Sequence, residues 1–199
     1  MDQGVVIKNM NGYFYVQTPN GDVHECKVRG RLKKERYSLL VGDSVTITED
    51  SWIDAIEPRR NSLRRPAIAN IDQVIVVVAA REPDIHPLLL DRLLVMIHHS
   101  HIPPVLVINK YDLHTEDTVK LKSIYEHIGY TVLCTSTYTG EGIDELRHVL
   151  HGKISAFAGP SGVGKSSLLN AVDPNFAFQT GAVSDKIKRG RHTTRHASL

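Results

Sequence analysis

Gly159-Pro160-Ser161-Gly162-Val163-Gly164-Lys165-Ser166-Ser167 is the stretch on which the fold turns. It fits G-x-x-x-x-G-K-[ST], a phosphate-binding loop. The apolar run Ile154-Ser155-Ala156-Phe157-Ala158 leads in and Ser167-Leu168-Leu169-Asn170-Ala171-Val172 leads out, so the loop lies between a buried strand and a helix start. Glycines there let backbone N–H groups converge on phosphate oxygens, and the helix N-terminus adds positive partial charge in the same direction. Lys165 would reach the β- and γ-phosphates, and the Ser166 hydroxyl would coordinate Mg2+.

Upstream of that loop, from Ile71 onward, strand and helix signals alternate. Val74-Ile75-Val76-Val77-Val78-Ala79 is continuously apolar and β-branched, as a parallel strand covered on both faces should be. Pro87 opens a helix whose core face is Leu88, Leu89, Leu90, Leu93, Leu94, Val95 and Ile97, ending in His98, His99 and His101. Those three histidines miss the i, i+4 spacing of a helical metal site, and histidine is favoured near a helix C-terminus by the dipole. Strand 105–108, a helix over 116–127, strand 131–134 and a helix over 143–150 follow, giving a doubly wound α/β pattern with its functional loops at the strands' carboxyl ends.

The first part of the chain reads differently. Gly4–Lys8, Gly12–Gln17, Asp22–Val28, Ser44–Thr48 and Trp52–Ile56 are short strand signals, with Asn-Gly turns at Asn11-Gly12 and Asn20-Gly21. About five such strands predict an oligonucleotide-binding (OB-fold) barrel. Lys27, Arg29, Arg31, Lys33, Lys34 and Arg36, with Tyr37 beside them, form a candidate RNA-binding patch, the alternative being a solvated charged loop. His24 and Cys26 share one strand face, but two potential ligands do not make a metal site. Residues 57–66 hold two prolines and four arginines and read as a basic linker with a possible second phosphate-facing patch, so the expected domains are 1–66 and 67–199.

Composition narrows the class. The net charge of +2 is small, so local clusters matter more than the sum. Cys26 and Cys134 alone suggest neither a disulfide scaffold nor a Cys-rich metal site, and a reducing cytoplasm is the expected location. The first residues do not form a basic segment followed by a long apolar run, and no stretch approaches the roughly 18–20 apolar residues of a membrane span. Neither export nor membrane insertion is expected, and a monomer is.

Directly after strand 105–108 comes Asn109-Lys110-Tyr111-Asp112, an N-K-x-D match at the carboxyl end of a parallel strand. The Asp112 carboxylate can accept hydrogen bonds from N1–H and the exocyclic amine of guanine. Adenine offers neither, leaving a buried carboxylate unpaired, which is how such a site rejects the wrong base. Asn109 should brace neighbouring loops and the Lys110 stem cover the base. One strand later, Thr135-Ser136-Thr137-Tyr138-Thr139-Gly140-Glu141-Gly142 stands where a guanine-binding loop reads S-A-K; Ser136 matches, and Thr137 and Tyr138 depart.

The order of these motifs is unusual for a GTPase, because N-K-x-D precedes the phosphate loop. With a barrel in front, the chain resembles the circularly permuted GTPases, most closely the bacterial ribosome-small-subunit-dependent GTPase A family. The likeness covers essentially the whole chain, including Leu90-Asp91-Arg92-Leu93-Leu94-Val95 and Lys188-Arg189-Gly190-Arg191-His192-Thr193-Thr194. It implies a slow GTPase using GTP, GDP and Mg2+, stimulated by the small ribosomal subunit, acting late in its maturation and touching rRNA through the barrel. Thr193 or Thr194 would be the switch threonine that meets Mg2+, and Lys186, Lys188, Arg189, Arg191 and Arg195 either a switch ordered by rRNA or a disordered polar segment. The family also implies a D-x-P-G element and a Cys/Cys/His/Cys zinc module after position 199. Neither occurs in this sequence, so its α/β domain is expected to be incomplete and to belong to a longer product. Two other readings stay open: a nucleotide-gated rRNA-binding checkpoint with incidental hydrolysis, and an ATP-using P-loop enzyme.

Overall fold

The computed structural model describes residues 2–30, 39–64 and 66–174. The chain divides into two compact units that meet in sequence between Ile71 and Asp72. No helix among the described residues is long and apolar enough to cross a membrane.

The first unit is built on a closed barrel of five strands in the order β1-β2-β3-β5-β4: β1 Asp2–Met10, β2 Tyr13–Gln17, β3 Val23–Val28, β4 Ser44–Ile47 and β5 Trp52–Ile56. Alternation dictates which side chains turn inward. Val6, Val16, Cys26, Val45, Ile47 and Ile53 are almost wholly buried and, with Leu39, form the barrel core. β3 pairs with β5 in parallel and β4 closes antiparallel on β1, so closure leaves this sheet no free edge to template aggregation.

Residues 57–66 are not the plain linker their prolines and arginines suggest. β6, Ser62–Arg64, pairs antiparallel with β7, Ala67–Ala69, in a two-stranded hairpin. The reason lies in Asp43, a wholly buried carboxylate on the barrel side. Arg59 grips it through Nε (2.6 Å) and Nη2 (2.8 Å), while the Leu40 N–H donates to it at 2.7 Å. Arg60 donates to the Asn70 carbonyl, and the Asn70 amide donates to the Gly42 carbonyl. These bonds tie the hairpin to the barrel and commit Arg59 to a carboxylate instead of a second phosphate-facing patch.

The second unit is a parallel sheet in the order β10-β9-β8-β11: β8 Gln73–Ala79, β9 Pro104–Asn109, β10 Thr131–Cys134 and β11 Ser155–Ala158. Every residue of β8 is buried, as its unbroken apolar run requires of a strand covered on both faces. Helix α1, Pro87–His99, contacts β8 and β9; α2, Glu116–His127, contacts β10 and starts on a Thr115–Thr118 capping box. Helices α3, Ile143–Leu150, and α4, Lys165–Val172, pack together, burying Ile143, Leu146 and Leu168 against Ile75, Val77, Val105 and Val107.

Strand order turns this frame into a site. The chain runs β8, β9, β10 outward in one direction, then β11 returns to the far side of β8. A crevice at such a reversal, outside the carboxyl ends, is where open α/β sheets bind ligands. β11 ends at Ala158, paired with Val76, whereas β8 and β9 continue to Ala79 and Asn109, three residues farther. That step leaves about 10 Å of strand length for the phosphate loop to fill.

Asp43→Ala is expected to lower the stability of the first unit by about 3–5 kcal/mol, because a largely buried, hydrogen-bonded ion pair is broken. Urea unfolding measures it; a loss below about 1 kcal/mol, the value of an exposed pair, would show that the Asp43–Arg59 contact does not hold the hairpin.

Candidate functional site

The phosphate loop is shaped by close backbone approach. Gly159 (φ 142°) lies so near β8 that a Cβ on it would sit 2.1 Å from the Val77 carbonyl oxygen, and one on Gly164 (φ 93°) would sit 2.3 Å from Asn109 Nδ2. Only glycine allows both the positive φ and the approach. Between them Val163 is buried in the core with Leu168, which pins the loop's crown to the sheet.

What the loop presents suits an anion. α4 starts after Gly164 with no side-chain cap and no acidic residue in its first turn, so its leading N–H groups and dipole stay open to a ligand. Lys165, half-buried, folds its ammonium back onto the carbonyls of Gly159 (3.0 Å) and Pro160 (2.7 Å). Burial holds its pKa below the ordinary lysine value. A desolvated cation satisfied only by carbonyl dipoles gains from meeting a phosphate. The Ser166 hydroxyl, in the same first turn, is not engaged by the described residues. The donor set therefore fits a polyphosphate with Mg2+, Ser166 being the residue placed to hold the metal.

Asn109, buried to 1%, joins the other two loops to this one. Its Nδ2 donates to the Val163 carbonyl at 2.9 Å, and its Oδ1 accepts from the Thr135 hydroxyl at 3.2 Å. Lys110 adopts the left-handed conformation (φ 55°) and its ammonium donates to the Glu82 carbonyl, so its stem is held across the loop that follows β8. Tyr111–Leu113 make a short 3-10 turn; the Tyr111 N–H donates to the Thr135 carbonyl at 3.0 Å, and its ring stacks on His114. Glu82 had no motif to announce it, since it acts through position beside a strand end and not through spacing.

Asp112 is exposed, contrary to the buried carboxylate expected from sequence, so desolvation would have to come from the base itself. Its Oδ1 accepts from the Ser136 hydroxyl at 2.5 Å. Ser136 is wholly buried and organises the loop after β10: its Oγ accepts from the N–H of Tyr138 (3.2 Å) and Thr139 (3.1 Å), its own N–H donates to the Glu141 carbonyl, and its carbonyl accepts from Gly140. Among the described residues the Thr137 and Gly142 N–H groups of this loop donate to no acceptor. The side chains of Thr137 and Tyr138 point to solvent, Tyr138 being 90% exposed, so their departure from S-A-K leaves the backbone arrangement intact. By strand spacing, β9 stands about 10 Å from β11 along the rim and β10 about 14 Å, and the phosphate loop crosses back over β8 to meet Asn109.

Other sequence candidates lie elsewhere. His98 Nε2 is 3.0 Å from the Tyr130 hydroxyl, beside a Tyr125 hydroxyl that donates to Asp91. Among the described residues no group of three or more His, Cys, Asp and Glu is arranged to hold a metal. Cys26 is in the barrel core. In the first unit, exposed Lys27 sits over the Tyr13 ring at 5.2 Å and Arg29 pairs with Asp54 at 3.1 Å. Arg31, Lys33, Lys34, Arg36, Thr193 and Thr194 lie outside the described residues.

Comparison with known proteins agrees over the whole chain. Residues 56–199 match the family model for the RsgA GTPase, and residues 3–55 that for the RsgA N-terminal domain. A small ribosomal subunit biogenesis GTPase RsgA of Alkaliphilus metalliredigens is 48% identical over 206 residues, covering 100% of this chain and 70% of that protein. One from Moorella thermoacetica is 46% identical over 201 residues, covering 99% and 69%. Among solved structures, YjeQ from Thermotoga maritima matches with a TM-score of 0.78 at 38% identity over 90% of this chain and 68% of that one. YloQ, described as a circularly permuted GTPase, matches at 0.70 and 36% identity over 88% and 65%.

Asn109→Ala should leave the Val163 carbonyl and the Thr135 hydroxyl without their side-chain partner. A loss of about 1–3 kcal/mol in the second unit is expected in denaturant unfolding; an unchanged midpoint would mean the loops hold their places without the amide.

Proposed function

The chain belongs to the RsgA GTPase family and is therefore a GTPase by descent, and from that premise we propose how its residues do the work. The rim of the second unit binds GTP and GDP: the phosphates lie on the amides of Gly159–Ser167 with Lys165, and the guanine edge meets Asp112. The observation that carries this reading is the Asn109 bridge, which fixes the N-K-x-D loop against the crown of the phosphate loop. Tyr111 and Lys110 flank the base, Ser136 aims the Asp112 carboxylate, and the Thr137 N–H donates to the guanine oxygen. Ser166 and either Thr193 or Thr194 would hold Mg2+, which would supply neutralisation of the developing phosphate charge. Lys165 then exchanges two carbonyls for phosphate oxygens, a stronger, charge-assisted contact.

By the same reading the protein acts in biogenesis of the small ribosomal subunit, as the names of its relatives state for them. It works in the cytoplasm, hydrolyses GTP slowly alone and faster on the subunit, and contacts rRNA through the barrel, with Lys27, Arg29, Arg31, Lys33, Lys34 and Arg36 supplying positive charge. Support comes from the five-stranded closed barrel, an architecture suited to oligonucleotides, and from the basic run in its third connection.

Competition binding tests the base assignment. GDP is expected to displace labelled GDP at least about 10^4-fold better than ADP. Asp112→Asn should turn the preference toward xanthosine diphosphate, whose C2 oxygen accepts from the new amide; equal affinities for GDP and ADP would end the guanine assignment. Phosphate release with and without small subunits tests the second part. Stimulation by the subunit is expected, and the same rate in both arms would remove the ribosomal role.

A further inference from the structure

We propose that the outer face of the barrel carries a stacking row, Tyr13–Lys27–Trp52, that takes up unpaired bases of single-stranded RNA. The proposal rests on the rRNA-binding reading above and narrows it from a basic surface to one that requires unstacked bases.

The row follows from strand alternation and register. In β2, Phe14 and Val16 turn to the core, which turns Tyr13 and Tyr15 out; in β3 buried Cys26 turns Lys27 out; in β5 buried Ile53 turns Trp52 out. Pairing of Phe14 with Cys26 sets Tyr13 opposite Lys27, Lys27 pairs with Trp52, and Met10 pairs with Tyr13. One rung therefore crosses β1, β2, β3 and β5 as Met10, Tyr13, Lys27 and Trp52. At ordinary strand spacing Tyr13 and Trp52 stand about 10 Å apart with the lysine between them. The Lys27 ammonium lies 5.2 Å from the Tyr13 ring centre, and Lys8 lies 5.6 Å from Tyr15 on the next rung. Trp52 is 37% exposed and, with Arg29, Gly30 and Asp50, lines an open hollow of ≈ 460 Å3.

The charge balance of this face decides what it can recognise. Glu25 accepts from Tyr15 and Asp54 pairs with Arg29, so the described face carries little net charge and is a poor phosphate rail. Its assets are the half-buried rings of Tyr13 and Tyr15, each with a lysine over it, and the exposed Trp52, which suit the π-faces of bases. In an A-form duplex those faces are covered by neighbouring pairs, whereas single strands can splay bases out to be stacked. The polyanionic side of the partner is matched in the sequence itself, which runs on from Arg29 through Arg31, Lys33, Lys34 and Arg36. Stacking thus falls to Tyr13 and Trp52, while Lys27 serves both the row and the basic run.

Trp52 is the single tryptophan of the chain, so its emission reports on the row alone. The test titrates the 199-residue chain with a short oligouridylate and, separately, with the same strand annealed to oligoadenylate. Saturable quenching by the single strand and none by the duplex is expected. With labelled oligouridylate, Tyr13→Ala and Trp52→Ala should each weaken binding about tenfold with no change in salt slope, while Trp52→Phe stays near wild type. Unchanged GDP affinity and circular dichroism would show the variants folded. Equal quenching by duplex, wild-type affinity of Tyr13→Ala and Trp52→Ala, or a Trp52→Phe as weak as Trp52→Ala each overturns the row. Small-subunit binding separates the two levels: if subunits bind wild type and the alanine variants alike, the row fails and rRNA binding stands. If wild type binds neither subunits nor oligonucleotide, both fail.

Discussion

One hydrogen bond holds the nucleotide rim together: the Asn109 amide to the Val163 carbonyl, 2.9 Å long and fully buried. Its neighbours explain why it cannot shift. Val163 is locked in the core between α4 and the sheet, Gly164 approaches the amide so closely that no side chain fits, and Thr135 accepts the duty of orienting the amide's other end. An unmade bond here would strand polar groups away from water. The geometry of three loops from three strands therefore reduces to a single buried residue at the end of β9, which joins the N-K-x-D loop to the phosphate loop.

The permuted order of motifs does not disturb this arrangement, because the sheet reads position and not sequence order. Parallel strands bring their carboxyl ends to one rim whichever is made first, and the reversal between β8 and β11 opens the crevice where the phosphate loop begins. The first unit obeys a different constraint. Its barrel closes on itself, so all its specificity must lie on the outer surface, and there strand register lines up aromatic and basic side chains that the sequence scatters over forty residues.

Much of this could be read from the chain because the signals were local. Val74–Ala79 is a buried strand by composition alone, and Gly159–Ser167 a phosphate loop by its spacing. What escaped was set by long-range partners. The hairpin at 62–69 exists because Arg59 finds Asp43, sixteen residues away, and two prolines in the same stretch pointed to a linker instead. Asp112 is exposed because its burial depends on what lies over it, which no motif encodes. Ser136 was legible from its loop pattern, but the Thr135 hydroxyl that orients the Asn109 amide looks in sequence like any loop hydroxyl. The Tyr13–Lys27–Trp52 row needed the register of three strands before it could be seen at all.

The account rests on the claim that one guanosine nucleotide spans the loops after β9, β10 and β11. A crystal structure of the chain with GDP and Mg2+ measures this directly. The pyrophosphate should lie on the amides of Gly162–Ser166 with Lys165 turned toward it, and guanine N1 and the exocyclic amine should lie within hydrogen-bond reach of Asp112. A structure with the phosphates in that cradle and the base resting away from Asp112 and Thr137 would contradict it.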